Sequence, residues 1–398
     1  MPVWSHSRLQ TYEDCPLKYK SQYIDCLKPR EENVEAFLGI RVHETLAKLF
    51  RDLMMARMPS VDDLLAQFRR SWQENWNDAI RITKAEYDSG DYLRVGERCI
   101  SNFYRRNHPF DDATTLAIEQ RLDFALDDEG RYRVQGYVDR IARRPDGAYE
   151  IHDYKTSQHL PSQEEIDSDR QLALYEIGLR QRWRDVNEVH LIWHYVALDE
   201  TMASQRAPEE LDSLQKAVIA LIDEIDAALE FPPRESSLCE WCGYQEHCPR
   251  RQHLVQIKQL PVEEQNLEDG VRLVDAYAEL AGRRDEVKDE LESLKQKIIA
   301  YAAGRGFDVL FGSAHRLTLT RRSKLTLPGQ GEPARDALEH ILRERGVWDE
   351  VSQLSGSRLL RALESGELDE PLRRAVLERA PTHETVLLRL SRLKEPGN

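Results

Sequence analysis

Two short segments with the alternating pattern of β-strands carry the charged residues that most constrain this chain. They are residues 134–140 and 149–156. Side chains of a strand alternate between its two faces, so Asp153 and Lys155 lie on the same face. If the two strands pair, Asp139 lies beside them. Two carboxylates can hold a divalent cation and a lysine can contact a phosphate, so these strands predict a site that cleaves phosphodiester bonds in nucleic acid.

The hydrophobic pattern around these segments predicts an α/β fold. Apolar residues at helical spacing alternate along the chain with runs of period two. The predicted helices are a short one that Ser7 caps and that ends before Pro16, followed by 39–57, 61–80, 91–106, 168–182 and 209–229. The predicted strands are 116–126, 131–143, 149–156 and 188–197. Turns join the first three strands, which predicts a meander at the centre of the fold.

After about residue 259 the pattern changes to a heptad repeat. Apolar residues recur at alternating spacings of four and three from Leu273 to Tyr301, and only Arg284 interrupts the series. This spacing predicts one long helix that Gly304 and Gly306 stop. Its apolar seam either pairs with another helix or packs back on the protein.

The remainder of the chain predicts a small α+β region. Residues 306–327 have the pattern of a two-stranded hairpin, and short charged helices follow. The basic segment 316–324 contains no acidic residue, so it either extends a nucleic-acid surface or forms a solvated edge. We therefore expect three parts, at 1–258, 259–305 and 306–398.

Composition excludes some classes of protein. The net charge of −15 argues against a protein that coats nucleic acid by general electrostatic attraction, although a local basic channel is compatible with it. No apolar run reaches the length of a membrane span, and the N-terminus lacks the pattern of a signal peptide. We therefore expect a cytoplasmic protein with no membrane partner.

Five further residues fit a site around the two aspartates. Glu119, on the preceding strand, could be an outer carboxylate, and His43, on an early helix, could add a nitrogen ligand. Mixed histidine and carboxylate ligands suit Mn²⁺ as well as Mg²⁺. Gln171 and Tyr175 lie one helical turn apart on one face. Gly136 would leave room for substrate or metal near the strand.

These residues follow one another in a specific order. The order is Gly-x-x-x-His, Glu on a strand, Gly-x-x-Asp-Arg, Asp-Tyr-Lys-Thr and Gln-x-x-x-Tyr. This set resembles the PD-(D/E)xK nuclease superfamily, specifically its RecB-like and Cas4-like branch. The resemblance covers about residues 1–258. It implies a restriction-endonuclease-like core, in which helices flank a mixed central sheet, and an active site that requires Mg²⁺ or Mn²⁺.

The resemblance also implies roles for individual residues. The family's active-site positions match His43, Asp139, Asp153, Lys155, Gln171 and Tyr175. The backbone carbonyl of Tyr154 is implied as a further metal ligand, and Glu119 is the least direct match. The sequence departs from the family where Val138 replaces the proline that gives the motif its name.

Four of the six cysteines form a pattern typical of a metal site. Cys239, Cys242 and Cys248 have the spacing Cys-x2-Cys-x5-Cys, and Cys15, which precedes Pro16, is the best candidate for a fourth ligand. A disulfide framework is not expected in a cytoplasmic chain of this size. Four thiolates could hold Zn²⁺ or an iron–sulfur cluster, and a redox Cys-x-x-Cys is a third interpretation.

The resemblance favours the cluster. Nucleases of the AddB and Cas4 types carry one early and three late cysteines that bind a [4Fe–4S] cluster. Such a cluster would join residue 15 to residue 239 and close the nuclease domain like a staple, with a mainly structural role. Cys26 and Cys99 have no part in this arrangement.

The leading hypothesis is a metal-dependent DNA exonuclease that acts on single strands or DNA ends in repair, recombination or defence. A non-catalytic iron–sulfur module that binds DNA ends or a partner is the second hypothesis, and a zinc-stabilised structural protein is the third. The sequence has no Gly-Lys dipeptide and thus no phosphate-binding loop of a motor. It would act alone or with a helicase or other partner, and the helix at 265–303 could serve this contact or self-association.

Overall fold

A mixed sheet of five strands lies at the centre of the N-terminal part of the chain. In chain order the strands there are β1 Glu32–Asn33, β2 Ile80–Arg81, β3 Thr114–Ala125, β4 Arg133–Arg143, β5 Tyr149–Lys155, β6 Val189–Tyr195 and β7 Glu200–Ser204. β1 and β2 form a small parallel pair of their own. The central sheet has the order β3-β4-β5-β6-β7, in which β5 and β6 are parallel and the other neighbours are antiparallel. The predicted meander is β3-β4-β5.

This computed structural model describes residues 2–29, 32–84, 86–320, 333–346, 348, 355–365 and 370–377. The chain divides into two units, Met1–Gln265 and Asn266–Asn398. A division of the chain at residues 258 and 305 stays a prediction. Among the described helices, none combines the length and apolar character that a membrane crossing requires.

Helices cover both faces of the sheet in the N-terminal unit. They are α1 His6–Asp14, α2 Pro16–Tyr19, α3 Val34–Met54, α4 Val61–Asn75, α5 Ser89–Asn107, α6 Gln163–Ser168, α7 Arg170–Arg182, α8 Pro208–Ala227, α9 Gln252–Gln259 and α10 Val262–Gln265. Ile151 and Tyr154, which lie on opposite faces of β5, belong to two different hydrophobic cores. The first core contains side chains from α1, α7 and α8, and the second contains side chains from α3, α4 and α5. The predicted α/β fold with a mixed sheet between helices is confirmed.

The structure corrects several predicted boundaries. Ser5, not Ser7, caps α1, because the Ser5 side chain accepts a hydrogen bond from the Arg8 amide at 3.1 Å. The helix predicted at 168–182 is α7, which begins two residues later because Asp169 has an extended backbone and caps it; α6 was not predicted. β7 was not predicted, because its sequence lacks alternating apolar residues.

The C-terminal unit contains one long helix and several short elements. They are α11 Asp269–Arg305, β8 Val309–Phe311, β9 Arg316–Thr318, α12 Pro333–Glu344, α13 Gly356–Ser365 and α14 Glu370–Leu377. α11 continues through Gly304 and ends at Gly306, whose φ of 71° is left-handed. The predicted hairpin is present as β8 and β9, but residues 321–327 of that segment lie outside the described residues.

The cap of α1 can be tested by two serine variants. We expect Ser5→Ala to lower the free energy of unfolding by about 1 kcal/mol, because the Arg8 amide loses its acceptor. Ser7→Ala should change it much less, since the Ser7 hydroxyl lies at the exposed surface 3.1 Å from that of Ser5. Urea unfolding of both variants measures the difference, and equal losses would contradict the assignment.

Candidate active site

The two predicted aspartates lie where β4 and β5 separate. The backbone pairing of these strands ends at Arg140 and His152, and the next pair in the same register would be Asp139 and Asp153. Beyond this point, the amide of Tyr154 donates its hydrogen bond to Oδ2 of Asp139 at 2.8 Å. A side-chain carboxylate thus replaces the backbone partner that the neighbouring strand no longer supplies.

His43 joins this site from α3. Its Nδ1 lies 3.3 Å from Oδ1 of Asp139, and its Nε2 lies 2.6 Å from the carbonyl oxygen of Tyr154. Glu119 on β3 completes the group, because His43, Glu119 and Asp139 each offer a ligand atom within 4.8 Å of the others. The structure therefore brings together the imidazole and the two carboxylates that the sequence predicted as metal ligands, and the backbone carbonyl that the family resemblance implies.

Glu119 has an unusual backbone conformation. Its φ of 50° lies in the left-handed region, which costs a residue with a side chain about 1–3 kcal/mol. On either side of it, Ile118 pairs with Arg140 and Gln120 pairs with Val138. Glu119 therefore lies at the level of Asp139 on the neighbouring strand. Strain of this kind is often found where the surrounding structure holds a functional group in place.

Asp153, Lys155 and Gln171 form a closed set of polar contacts. Nζ of Lys155 lies 2.9 Å from Oδ2 of Asp153 and donates a hydrogen bond to Oε1 of Gln171 at 2.8 Å. Nε2 of Gln171 donates to Oδ1 of Asp153, also at 2.8 Å. Gln171 is itself held by the start of α7, where its amide donates to Asp169 at 2.8 Å. Asp153 and Lys155 of β5 therefore contact Gln171 of α7, as the sequence predicted.

Tyr175 lies one turn after Gln171 and packs against Gly136. A Cβ atom at Gly136 would lie 2.2 Å from Cε1 of Tyr175, so only glycine admits the ring here. The prediction that Gly136 leaves room for substrate or metal is therefore wrong, because the tyrosine fills that space. Burial raises the pKa of Tyr175 to about 12, so its hydroxyl is protonated at neutral pH.

The charges of the site shift one another's pKa values. Burial lowers the pKa of His43, but the hydrogen bond and charge of Asp139 outweigh it and raise that pKa to about 9. Burial would also lower the pKa of Lys155, but the charge of Asp153 raises it overall. Burial raises the pKa of Asp153 and of Glu119. Without a bound ion, the protonated His43 and Lys155 therefore compensate the carboxylates.

The donor set fits a divalent cation. A ring nitrogen of His43 and carboxylate oxygens of Glu119 and Asp139 lie within 4.8 Å of one another, so one ion could contact all three. Oδ2 of Asp153 is buried and has the Lys155 ammonium 2.9 Å away as its counter-ion. Carboxylate and carbonyl oxygens suit Mg²⁺ and Mn²⁺, and the one imidazole is more usual at a transition-metal ion such as Mn²⁺ than at Mg²⁺.

A cavity of about 460 Å³ opens beside His43, and the sequence analysis did not predict it. One face of α3 lines most of it, together with Glu119 of β3. Its lining residues are Gly39, Ile40, His43, Glu44, Ala47, Arg51 and Glu119. The spacing of three and four residues around His43 is the signal that could have identified this face.

The four predicted cysteines line a second, smaller cavity. Cys15 ends α1, and Cys239, Cys242 and Cys248 lie in and beside two short 3₁₀ turns. The amide of Arg234 donates to Sγ of Cys15 at 3.4 Å, and the amide of Ser236 donates to Sγ of Cys239 at 3.5 Å. Amide donors of this kind stabilise thiolates, as in metal–sulfur sites.

Charged side chains line the cysteine cavity, and the segment that carries it is well anchored. Lys18, Arg234, Arg250 and Arg251 line the cavity together with Asp14 and Glu235, so basic side chains outnumber acidic ones, although Arg250 pairs with Glu235 at 3.3 Å. The hydroxyl of Tyr244 donates to the Leu27 carbonyl at 3.2 Å, which ties the late cysteine segment to the N-terminal one. Cys26 is exposed and Cys99 is buried in the second core; neither lines this cavity.

Metal binding at the first site should depend on pH. Below about pH 9 His43 is protonated, and a metal ion must displace that proton to use the ring nitrogen. We expect the apparent affinity for Mn²⁺ to rise about tenfold per pH unit from pH 6 to 8. Calorimetric titration in buffers of different ionisation enthalpy measures both the affinity and the proton release.

Two variants control this experiment. His43→Asn should bind Mn²⁺ more weakly and with little pH dependence, because the competing proton is gone. His159→Asn, at an exposed histidine outside the site, should behave as wild type. A wild-type affinity that stays constant over this pH range would contradict the role of His43.

Comparison with known proteins agrees with this geometry. A model of the PD-(D/E)XK nuclease superfamily matches residues 3–249, which include all residues of both candidate sites. The crystal structure of SSO0001 is similar over 62% of this chain and 95% of that chain, at 14% identity and a TM-score of 0.25. No curated protein matches. Because the family match spans more than half of the chain, this protein belongs to the PD-(D/E)XK nuclease superfamily.

Proposed function

We propose that this protein is a metal-dependent DNA exonuclease of the RecB-like and Cas4-like branch. It acts on single-stranded DNA or DNA ends, in repair, recombination or defence. Membership of the superfamily supports nuclease activity, and the His/Glu/Asp group supports a divalent metal. The observation that carries the proposal is the convergence of Asp139, Asp153 and Lys155 at the point where β4 and β5 separate.

The metal ligands in this proposal are His43, Glu119, Asp139, Asp153 and the carbonyl of Tyr154. A bound Mg²⁺ or Mn²⁺ supplies an activated water and compensates charge on the phosphate. The protein's own contribution is to hold these donors rigidly. Asp139 is fixed by the Tyr154 amide, and Asp153 is fixed by Gln171, so the carboxylates need little reorganisation when the ion binds.

Lys155 is the catalytic cation in this proposal. Its pKa is raised, so it carries a full charge at neutral pH and can donate to a phosphate oxygen or orient the attacking water. Oε1 of Gln171 accepts a hydrogen bond from the Lys155 ammonium, which fixes the direction of the other two N–H bonds. Tyr175 keeps a protonated hydroxyl near this group and packs the start of α7 against β4.

We propose a [4Fe–4S] cluster as the occupant of the cysteine cavity. Four cysteines around one cavity, two amide donors to sulfur and an excess of basic over acidic side chains in the lining support it. Such a cluster would join the end of α1 to the segment before α9, and its binding free energy would add to the stability of the fold. Cysteines that bind a metal centre instead of forming disulfides are typical of the cytoplasm, which is the location we propose.

We further propose α11 as the contact for a protein partner, either a helicase, another protein or a second copy of this chain. Its heptad positions are largely exposed in the structure: Leu280 and Leu291 are each 62% accessible. An apolar seam of this length gains free energy when another helix covers it. The protein lacks the sequence of a motor, which favours a partner that supplies one.

The nuclease proposal is tested on end-labelled linear single strands, linear duplex and closed circles, with Mg²⁺ or Mn²⁺ and protein purified anaerobically. Loss of linear DNA alone would establish an exonuclease, and loss of circles would establish an endonuclease. We expect Lys155→Ala to lower the rate about 10²–10³-fold, because a preorganised charge at the phosphate is lost.

Lys216→Ala is the matched control, since Lys216 is exposed on α8. It should keep wild-type activity. If wild type and Lys155→Ala were equally inert on every substrate while the cysteine site was intact, the protein would instead be a binding module for DNA ends or a partner.

The cluster is tested by metal and sulfide analysis of anaerobically purified protein. We expect about four iron and four sulfide per chain, which Cys248→Ser should abolish because a ligand is lost. Cys26→Ser should keep the full content, since Cys26 lies outside the cavity. Colourless protein with one zinc per chain would show a zinc site instead.

A further inference from the structure

Arg170, the first residue of α7, forms a double ion pair with α1. Its Nη1 donates to Oε1 of Glu13 at 2.9 Å, and its Nη2 donates to Oε2 of the same carboxylate. Nη2 also donates to Oε1 of Gln10 at 3.3 Å. The Arg170 side chain is 16% exposed and that of Glu13 is 39% exposed, so solvent screens this pair in part. A fork of two parallel hydrogen bonds fixes direction as well as distance.

Arg170 directly precedes a residue of the proposed active site. Gln171 follows Arg170 in α7 and bridges Asp153 and Lys155 by two hydrogen bonds of 2.8 Å. The backbone there is also held at Asp169, whose carbonyl accepts a hydrogen bond from Arg206 at 3.1 Å. A displacement of the first turn of α7 would therefore move Gln171 away from both of its partners.

The glutamate end leads to the cysteine cavity. Glu13 lies two residues before Cys15, at the end of α1. Arg234 contacts both, since its side chain donates to the Glu13 carbonyl and its amide donates to Sγ of Cys15. Glu13, the partner of Arg170, thus lies at the same end of α1 as Cys15, the first of the four cysteines.

We propose that Glu13 and Arg170 are positioning residues for hydrolysis. They tie Gln171, and through it Asp153 and Lys155, to the cysteine-bearing end of α1. Neither touches the metal ligands directly, so their effect is on geometry. This inference rests on the proposed nuclease function, and it adds residues that the motif pattern does not include.

The test uses Glu13→Gln, Arg170→Met and the double variant in the full-length protein. We expect each single variant to lower kcat about 10- to 100-fold with little change of KM for DNA, the magnitude typical of residues that orient a metal site. Their effects should not add in the double variant, because either substitution already breaks the pair. Arg170→Lys should recover only part of the activity, since it keeps the charge but loses the fork.

A second readout does not depend on activity. Mn²⁺ affinity, measured by calorimetry, should fall about tenfold in each variant, because Asp153 loses its fixed orientation. Arg69→Met is the matched control, since the Arg69–Glu97 ion pair joins α4 and α5, which carry none of the proposed ligands. It should leave kcat and Mn²⁺ affinity unchanged, whatever its effect on thermal stability.

The outcomes separate this inference from the function on which it rests. If wild type cleaves DNA and both Glu13→Gln and Arg170→Met retain wild-type kcat and Mn²⁺ affinity, the positioning role is overturned and the nuclease stands. If wild type cleaves no DNA, the nuclease proposal fails, and the Mn²⁺ affinities alone decide whether the pair positions the site. Additive losses in the double variant would also overturn the inference.

Discussion

The structure of the site depends on the point where β4 and β5 separate. Their backbone pairing ends at Arg140 and His152, so Asp139 and Asp153 lie just beyond it. A strand that leaves its neighbour exposes unpaired backbone amides, and burying such a group without a partner costs free energy. Here the carboxylate of Asp139 accepts the hydrogen bond of the Tyr154 amide. One interaction therefore closes the end of the strand pair, fixes Asp139, and turns the Tyr154 carbonyl towards His43.

Charge compensation explains why so many ionisable groups can share this partly buried site. Burial, and after it the charge of Asp139, raises the pKa of Asp153 and of Glu119. The protonated His43 and Lys155 offset the carboxylate charges in the absence of an ion. A divalent cation could replace the proton on His43 without leaving the carboxylates uncompensated. The charges of His43 and Lys155 thus stabilise the fold, and the carboxylates remain available as ligands for a metal ion.

Sequence reasoning predicted most of the fold around the site. The strands of the meander, α3 and α7 were predicted within a few residues, because each has a strong period and clear turn residues. It failed where a local signal was weak or ambiguous. The capping serine of α1 was placed at the wrong one of two nearby serines, and α6 was missed because Ile166 is its one apolar residue. The space beside Gly136 was predicted for substrate or metal, but the Tyr175 ring occupies it, which only the packing shows.

The sequence by itself determined which residues are available for chemistry. They are two aspartates, a lysine two residues after the second aspartate on the same strand, a histidine on an amphipathic helix, and three closely spaced cysteines with a fourth near the N-terminus. Their order carries this information because period and spacing are local properties of the chain. Only the tertiary structure decided which of them meet. The contact of His43 with Tyr154 and the ion pair of Arg170 with Glu13 join segments far apart in sequence, and the left-handed backbone of Glu119 occurs inside the pairing of β3 with β4. Such contacts depend on how helices pack on the sheet, which no local pattern specifies.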